Sequence, residues 1–183
     1  MYHVTAHYSD GSERSWDQCL TDPPPAATPT ITMAMIRRAF EQVPLPASEV
    51  TIQPPGGQTL VNLATIYSTH AAEFSTEVTV LGQRVELRIR PASYTWDPGD
   101  GSAPLTTDWP GVPYDPGLAM DGYISHTYRA AAEAVPVQVD TTWAAQFRIN
   151  GHGAFQDVDG TVAIAGQPVQ LKVREARGVL TGG

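Results

Sequence analysis

Asp97 and Asp100 stand three residues apart in the run Tyr94-Thr95-Trp96-Asp97-Pro98-Gly99-Asp100-Gly101-Ser102. Two carboxylates held close together are what acid–base hydrolysis uses, one protonated and one ionised. Here both fall in one tight turn. Pro98 fixes φ, Gly99 and Gly101 admit positive φ, and each Asp can accept from a nearby backbone amide. The turn accounts for both carboxylates without catalysis.

The other chemistry-bearing residues fit active-site patterns no better. Asp157-Val158-Asp159-Gly160 echoes part of a calcium loop, which makes Asp157 and Asp159 weak calcium candidates. A full loop needs further oxygen ligands and a glutamate at fixed spacing, and the sequence lacks them. Asp108, Asp115 and Asp121 could join such a site in space, but a hydrated turn is the simpler reading. His3 and His7, four apart on a strand, share a face. No Glu or Cys accompanies them at protease or finger spacing. His70, His126 and His152 are scattered. There is no Gly-x-Ser-x-Gly elbow and no phosphate loop, and Gly151-His152-Gly153 lacks the third glycine of a dinucleotide turn. Cys19 is the one cysteine, so no internal disulfide forms. It reads as a buried or idle thiol, or as a half-cystine paired outside this stretch of chain. No catalytic residue and no cofactor is expected.

Aromatic side chains are the remaining candidates. Tyr67, Trp109, Tyr114 and Tyr123 are expected to gather around a long loop, residues 102–122, and to offer ring faces to a sugar or a peptide. Trp109, Tyr114 and Tyr123 are the ligand-contacting candidates. Ordinary anchoring of the loop is the competing reading, and the preferred one.

The elements that must position these residues are mostly strands. Residues 2–19 read as a hairpin with Ser9-Asp10-Gly11-Ser12 as its turn. Residues 22–29 are a proline-rich linker. In 31–43, Met33, Ile36, Phe40 and Val43 fall three and four apart, which predicts one helix packed on a sheet. Thr30 or Thr32 caps its start, and Pro44 and Pro46 end it. From Val50 onward apolar residues recur at period two. Val85, Leu87 and Ile89 alternate with Glu86, Arg88 and Arg90. Val137 to Ile149 is the longest alternation. Asn150-Gly151-His152-Gly153 reads as a turn or loop, and Val162–Ile164 and Val169–Val173 as the final strands. Trp96, Trp143, Phe147, Val139, Val78, Leu87 and Leu171 are the expected core.

The run Trp96-Asp97-Pro98-Gly99-Asp100-Gly101, followed by His126-Thr127-Tyr128 and an alternating strand, resembles the polycystic-kidney-disease (PKD) domain. Its hallmark is Trp-Asp-x-Gly-Asp-Gly and a later His-x-Tyr. Pro54 to Leu63 and Gly111 to Pro116 further resemble a group of uncharacterised exported or membrane-associated actinobacterial proteins that contain this domain. The resemblance covers residues 44–176. It implies an all-β, Ig-like sandwich in which Trp96, Asp97, Gly99, Asp100, Gly101, His126 and Tyr128 play structural parts. Three departures stand out. The residue after Asp97 is a proline. The group's cysteines around the loop near Tyr114 are absent, so packing through Trp109, Pro113 and Tyr114 must hold it. Ala134-Val135-Pro136-Val137 replaces the usual strand entry, which suggests an edge or bulge where a second copy could add a strand.

The expected organisation is an N-terminal arm (1–47, with hairpin, linker and helix), a PKD-like β-sandwich (48–177) and a tail (178–183). The 183 residues carry 11 Lys and Arg against 19 Asp and Glu, a net charge of -8. That field repels polyanions, so nucleic acid is not an expected partner. Charged residues make up only 16%, and Gly and Pro number 16 each, as suits many strands joined by tight turns. No apolar run reaches the roughly 20 residues that span a bilayer. The reading is a non-catalytic extracytoplasmic module, secreted or membrane-anchored, with any signal or anchor outside this stretch. Its expected partner is a protein or an envelope glycan. It serves cell-envelope interaction, adhesion or spacing, or alternatively binds carbohydrate through its loop aromatics.

Overall fold

The computed structural model describes residues 2–18 and 29–176. Cys19, residues 22–28 of the linker and the tail 178–183 lie outside the described residues. Two compact units part between Thr30 and Ile31. The first holds a two-stranded antiparallel hairpin of β1 (Tyr2–His7) and β2 (Glu13–Gln18). Its turn is closed by Asp10, whose carboxylate accepts from the Ser12 amide at 2.9 Å. Across the strands His3 pairs with Asp17 and His7 with Glu13, so each imidazole has its own carboxylate.

The second unit is all-β and sandwich-like, with one helix. Its elements are α1 (Met33–Glu41), β3 (Thr51–Gln53), β4 (Gln58–Leu60), β5 (Ala64–Ser68), β6 (Phe74–Val80), β7 (Gln83–Asp97), β8 (Leu105–Thr107), β9 (Ile124–Thr127), β10 (Ala132–Ile149), β11 (His152–Asp157), β12 (Val162–Ile164) and β13 (Val169–Arg174). The large sheet runs β4-β13-β10-β7-β6, with β11 and β12 along β10 and β8 along β7. The small sheet runs β3-β5-β9.

The long antiparallel pair β7–β10 organises everything else. In β10 the odd-numbered residues from Val135 to Phe147 all face inward, as one face of a pleated strand must. In β7 the inward residues are Val85, Leu87 and Ile89, then Tyr94 and Trp96: odd first, even afterwards. The switch has a local cause. Thr142 lies opposite Ser93 and Trp143 opposite Pro91, so Ala92 is one residue too many. This β-bulge exchanges the two faces of β7 and keeps the apolar residues of both halves on the same face of the sheet.

Two covers bury that one face. The small sheet lies over the Trp96 end and forms a core of Tyr67, Tyr94, Trp96, Ile124, Tyr128, Val137, Val139 and Leu171 among others. Helix α1 lies over the other end, where Ile36 and Phe40 pack with Leu87, Ile89, Trp143 and Phe147. The helix follows its apolar spacing, and Thr32 is its cap. Of the seven expected core residues, six are buried. Val78 is half-buried at the rim of the α1 core.

Candidate functional site

The turn at the end of β7 is built as its composition dictates. Asp97 accepts from the Gly99 amide at 2.8 Å, and Asp100 from the Ser102 amide at 3.0 Å. Gly99 has φ of 76° and lies against β10: a Cβ there would stand 2.3 Å from the Pro136 carbonyl oxygen. Only glycine allows both that φ and that approach.

The turn joins the two sheets through the residues of the His-x-Tyr segment. Asp100 reaches His126 Nε2 on β9 at 2.8 Å. Burial works to raise the Asp100 pKa, but the bonds from His126 and Ser102 outweigh it and hold the carboxyl below its usual range. Tyr128 donates its hydroxyl to the Pro98 carbonyl at 2.9 Å, and its oxygen meets the Tyr67 hydroxyl at 2.8 Å. The Tyr128 proton is committed to Pro98, so Tyr67 is the donor between the two phenols. Burial, ahead of any charge, pushes the Tyr128 phenol up to about 12. Burial and the bond to Tyr128 raise Tyr67 further still. His126 packs edge-on to the Tyr128 ring at 4.7 Å between centroids.

Trp96 extends the same frame into the long loop. Its ring stacks on Tyr67, and its indole N–H donates to Thr107 Oγ1 at 2.9 Å. The Thr107 hydroxyl in turn donates to the Trp109 carbonyl at 2.8 Å. Farther along, the Asp115 amide donates to the Tyr123 hydroxyl at 2.8 Å, and that hydroxyl donates to the Asp115 carbonyl at 2.5 Å.

Two expectations about aromatics need correction. Tyr67 is fully buried, because β5 is covered on both faces. Tyr123 is 7% exposed, with its hydroxyl used to tie down the loop, so it presents no free ring face. Tyr114 stacks on Tyr123 but stays 56% exposed, and Trp109 is 36% exposed. The loop is held chiefly through Tyr123 and Thr107. The sequence signal for Tyr67 was the short run Ala64-Thr65-Ile66-Tyr67, rich in β-branched and aromatic residues as a doubly buried strand is. Nothing in the sequence singled out Thr107.

The carboxylates do not converge. Asp97 and Asp100 share the turn, Asp115 accepts from the Gly117 amide in its own loop, and Asp157 accepts from Gln146. Among the described residues no three His, Cys, Asp or Glu side chains stand close enough to hold a metal ion. No described helix is long and apolar enough to cross a membrane.

Concave features of this unit include two beside the motif and the long loop. One is an apolar groove of about 520 Å³ lined by Pro54, Pro55, Leu63, Ile66, Tyr114 and Met120. The other is a polar cleft of about 830 Å³ between the Gly99–Ser102 turn, β9 and the start of β10. The entry to β10 is irregular, as Pro136 suggested: its register with β13 shifts between Ala132 and Val135. No known protein family, curated protein or solved structure matches this chain.

Proposed function

We propose that this chain is a PKD-like, non-catalytic, extracytoplasmic module that binds a component of the cell envelope, for adhesion or spacing. The observation that carries the reading is the apolar groove with its exposed rim. Leu63, Tyr114 and Met120 line it and are exposed, and Leu60 and Leu118 are exposed as well. Exposed apolar clusters of this kind mark contact surfaces. The motif residues support the same reading from the other side. Asp97, Asp100, His126 and Tyr128 spend their polar atoms on the turn and on each other.

The test is saturable binding of the purified chain to whole cells and to isolated envelope protein. Leu63→Ser with Tyr114→Ser should weaken it at least tenfold while the unfolding curve stays in place. Full binding by that variant would overturn the proposal. Hydrolysis of an envelope polymer that stops in Asp100→Asn would do so too.

The exposure of Trp109 and Tyr114 favours a second reading, a carbohydrate-binding module. Trp109→Ala should then abolish retention on cell-wall polysaccharide, and unchanged retention would remove this reading.

A further inference from the structure

We infer that the polar cleft takes an extended, acidic segment of another protein as an added strand on β9. The inference shares no lining residue with the apolar groove and stands apart from the reading drawn from it.

Both walls of the cleft are strand edges. β9 is the last strand of the small sheet, paired with β5 on one side only. β10 pairs with β13 over Ala132–Val137, but its pairing with β7 begins at Gln138. On that second side the Gly99 turn covers Pro136 and leaves Ala132–Val135 uncovered. A row of open backbone amides and carbonyls is a template for another chain. The cleft, at about 830 Å³, lies within the range that accommodates ligands, roughly 300–1,000 Å³.

The two edges are not equivalent. Open edges are normally blocked by proline, lysine or a bulge. The β10 edge has Pro136 and the shifted register at Ala132–Val135. The β9 edge, Ile124-Ser125-His126-Thr127, has neither proline nor lysine. The occupant therefore pairs with β9. Ser125 and Thr127 flank it with hydroxyls, while His126 is held from below by Asp100. Small side chains at Ala130, Ala131 and Ala132 leave space on the far wall.

Charge selects the occupant. Arg129 lines the cleft and is exposed, and among the described residues no carboxylate lies within ion-pair distance of it. Asp100, which lines the same cleft, is engaged by His126 and Ser102, so the unpaired guanidinium at the end of the open strand is the group left to select, and it favours an acidic side chain.

The experiment titrates the isotopically labelled full chain with a hexapeptide of alternating valine and threonine that carries one glutamate, and follows backbone amide shifts. The expected shifts lie at Ser125–Thr127 and Ala132–Val135. A strand offers alternate amides to its neighbour. N-methylation of the peptide in one phase should therefore abolish the shifts, and methylation in the other phase should leave them. Arg129→Gln should weaken binding about threefold, and should have no effect on the glutamine version of the peptide. Four results would overturn the inference: no shifts in the cleft, equal effects of the two methylation phases, concentration-dependent shifts at these amides without peptide (a second copy), or a response to a uronic-acid oligosaccharide alone.

Discussion

Removing one hydroxyl from the Tyr67–Tyr128–Pro98 chain should matter more at one end than at the other. Tyr128→Phe removes the donor to the Pro98 carbonyl and the acceptor for the Tyr67 hydroxyl, so it leaves two buried polar groups without partners. Each such orphan costs about 1–3 kcal/mol, which puts the variant about 2–6 kcal/mol below the parent. Tyr67→Phe leaves the Tyr128–Pro98 bond intact and removes one bond together with its donor, a loss of about 1 kcal/mol. In the double variant only the Pro98 carbonyl is orphaned, so it should be no less stable than Tyr128→Phe alone. Guanidinium unfolding followed by near-ultraviolet circular dichroism measures all three. For a chain of this size about 1 kcal/mol moves Tm by roughly 2–4 °C. Tyr128→Phe should therefore lower Tm by about 4–24 °C and Tyr67→Phe by about 2–4 °C. Equal losses in the two single variants, or additive losses in the double, would refute the assigned direction of the hydrogen bonds.

Three further outcomes follow from the same frame. The Tyr128 phenol titrates at 10.0 when exposed and at about 12 when folded, a raised value, so its contribution is complete below 10.0 and fades as pH rises through about 12; alkaline unfolding should begin in that window and begin lower in Tyr128→Phe, whose frame is already weakened. Asp100 is lowered from 3.8, so its contribution is present above 3.8 and lost as pH falls through the folded value; Asp100→Ala should cost about 1–2 kcal/mol at pH 7 and approach the parent's stability in acid, as read from urea midpoints. Gly99 and Gly101 both have positive φ, but only Gly99 meets backbone; Gly101→Ala should cost about 1 kcal/mol, and Gly99→Ala several times as much, because the added Cβ stands 2.3 Å from the Pro136 oxygen.

The strand content was legible because its signal is local. Val85-Leu87-Ile89 and Val137 to Ile149 alternate strictly, and the apolar spacing of α1 marks an amphipathic helix that stops before Pro44. The face exchange in β7 was less visible, since Pro91-Ala92-Ser93 carries no glycine and reads as continuous strand. The strand β11 was missed because Gly151 and Gly153 read as loop, whereas β10 supplies a long partner that pairs with His152, Gln156 and Asp157. At the site, the turn bonds of Asp97 and Asp100 were legible, since an Asx turn depends on residues two apart. The burial of Tyr67 and Tyr123 was not, because it depends on which strands and loop cover them. Exposure is a tertiary property, and a tyrosine in a loop looks the same in sequence whether its ring faces water or its hydroxyl ties down a backbone.

The same few residues explain why the polar cleft lies where it does. Gly99 lets the β7 turn rest on the Pro136 carbonyl, which ends the β7–β10 pairing at Gln138 and covers the edge at Pro136. Asp100, carried by that turn, reaches across to His126 and fixes β9 at the margin of the small sheet. Between those two attachments the chain must cross from one sheet to the other, and it does so through Arg129-Ala130-Ala131, which pair with nothing in either sheet. The bonds that close the sandwich at the motif thus leave the neighbouring edges open. If that is so, Gly99→Ala should disturb the amide shifts of Ala132–Val135 as well as stability, whereas an equally destabilising change in the α1 core, such as Phe40→Leu, should leave those amides in place. Identical amide spectra for the two variants would separate the turn from the cleft and leave the open β10 edge without a cause.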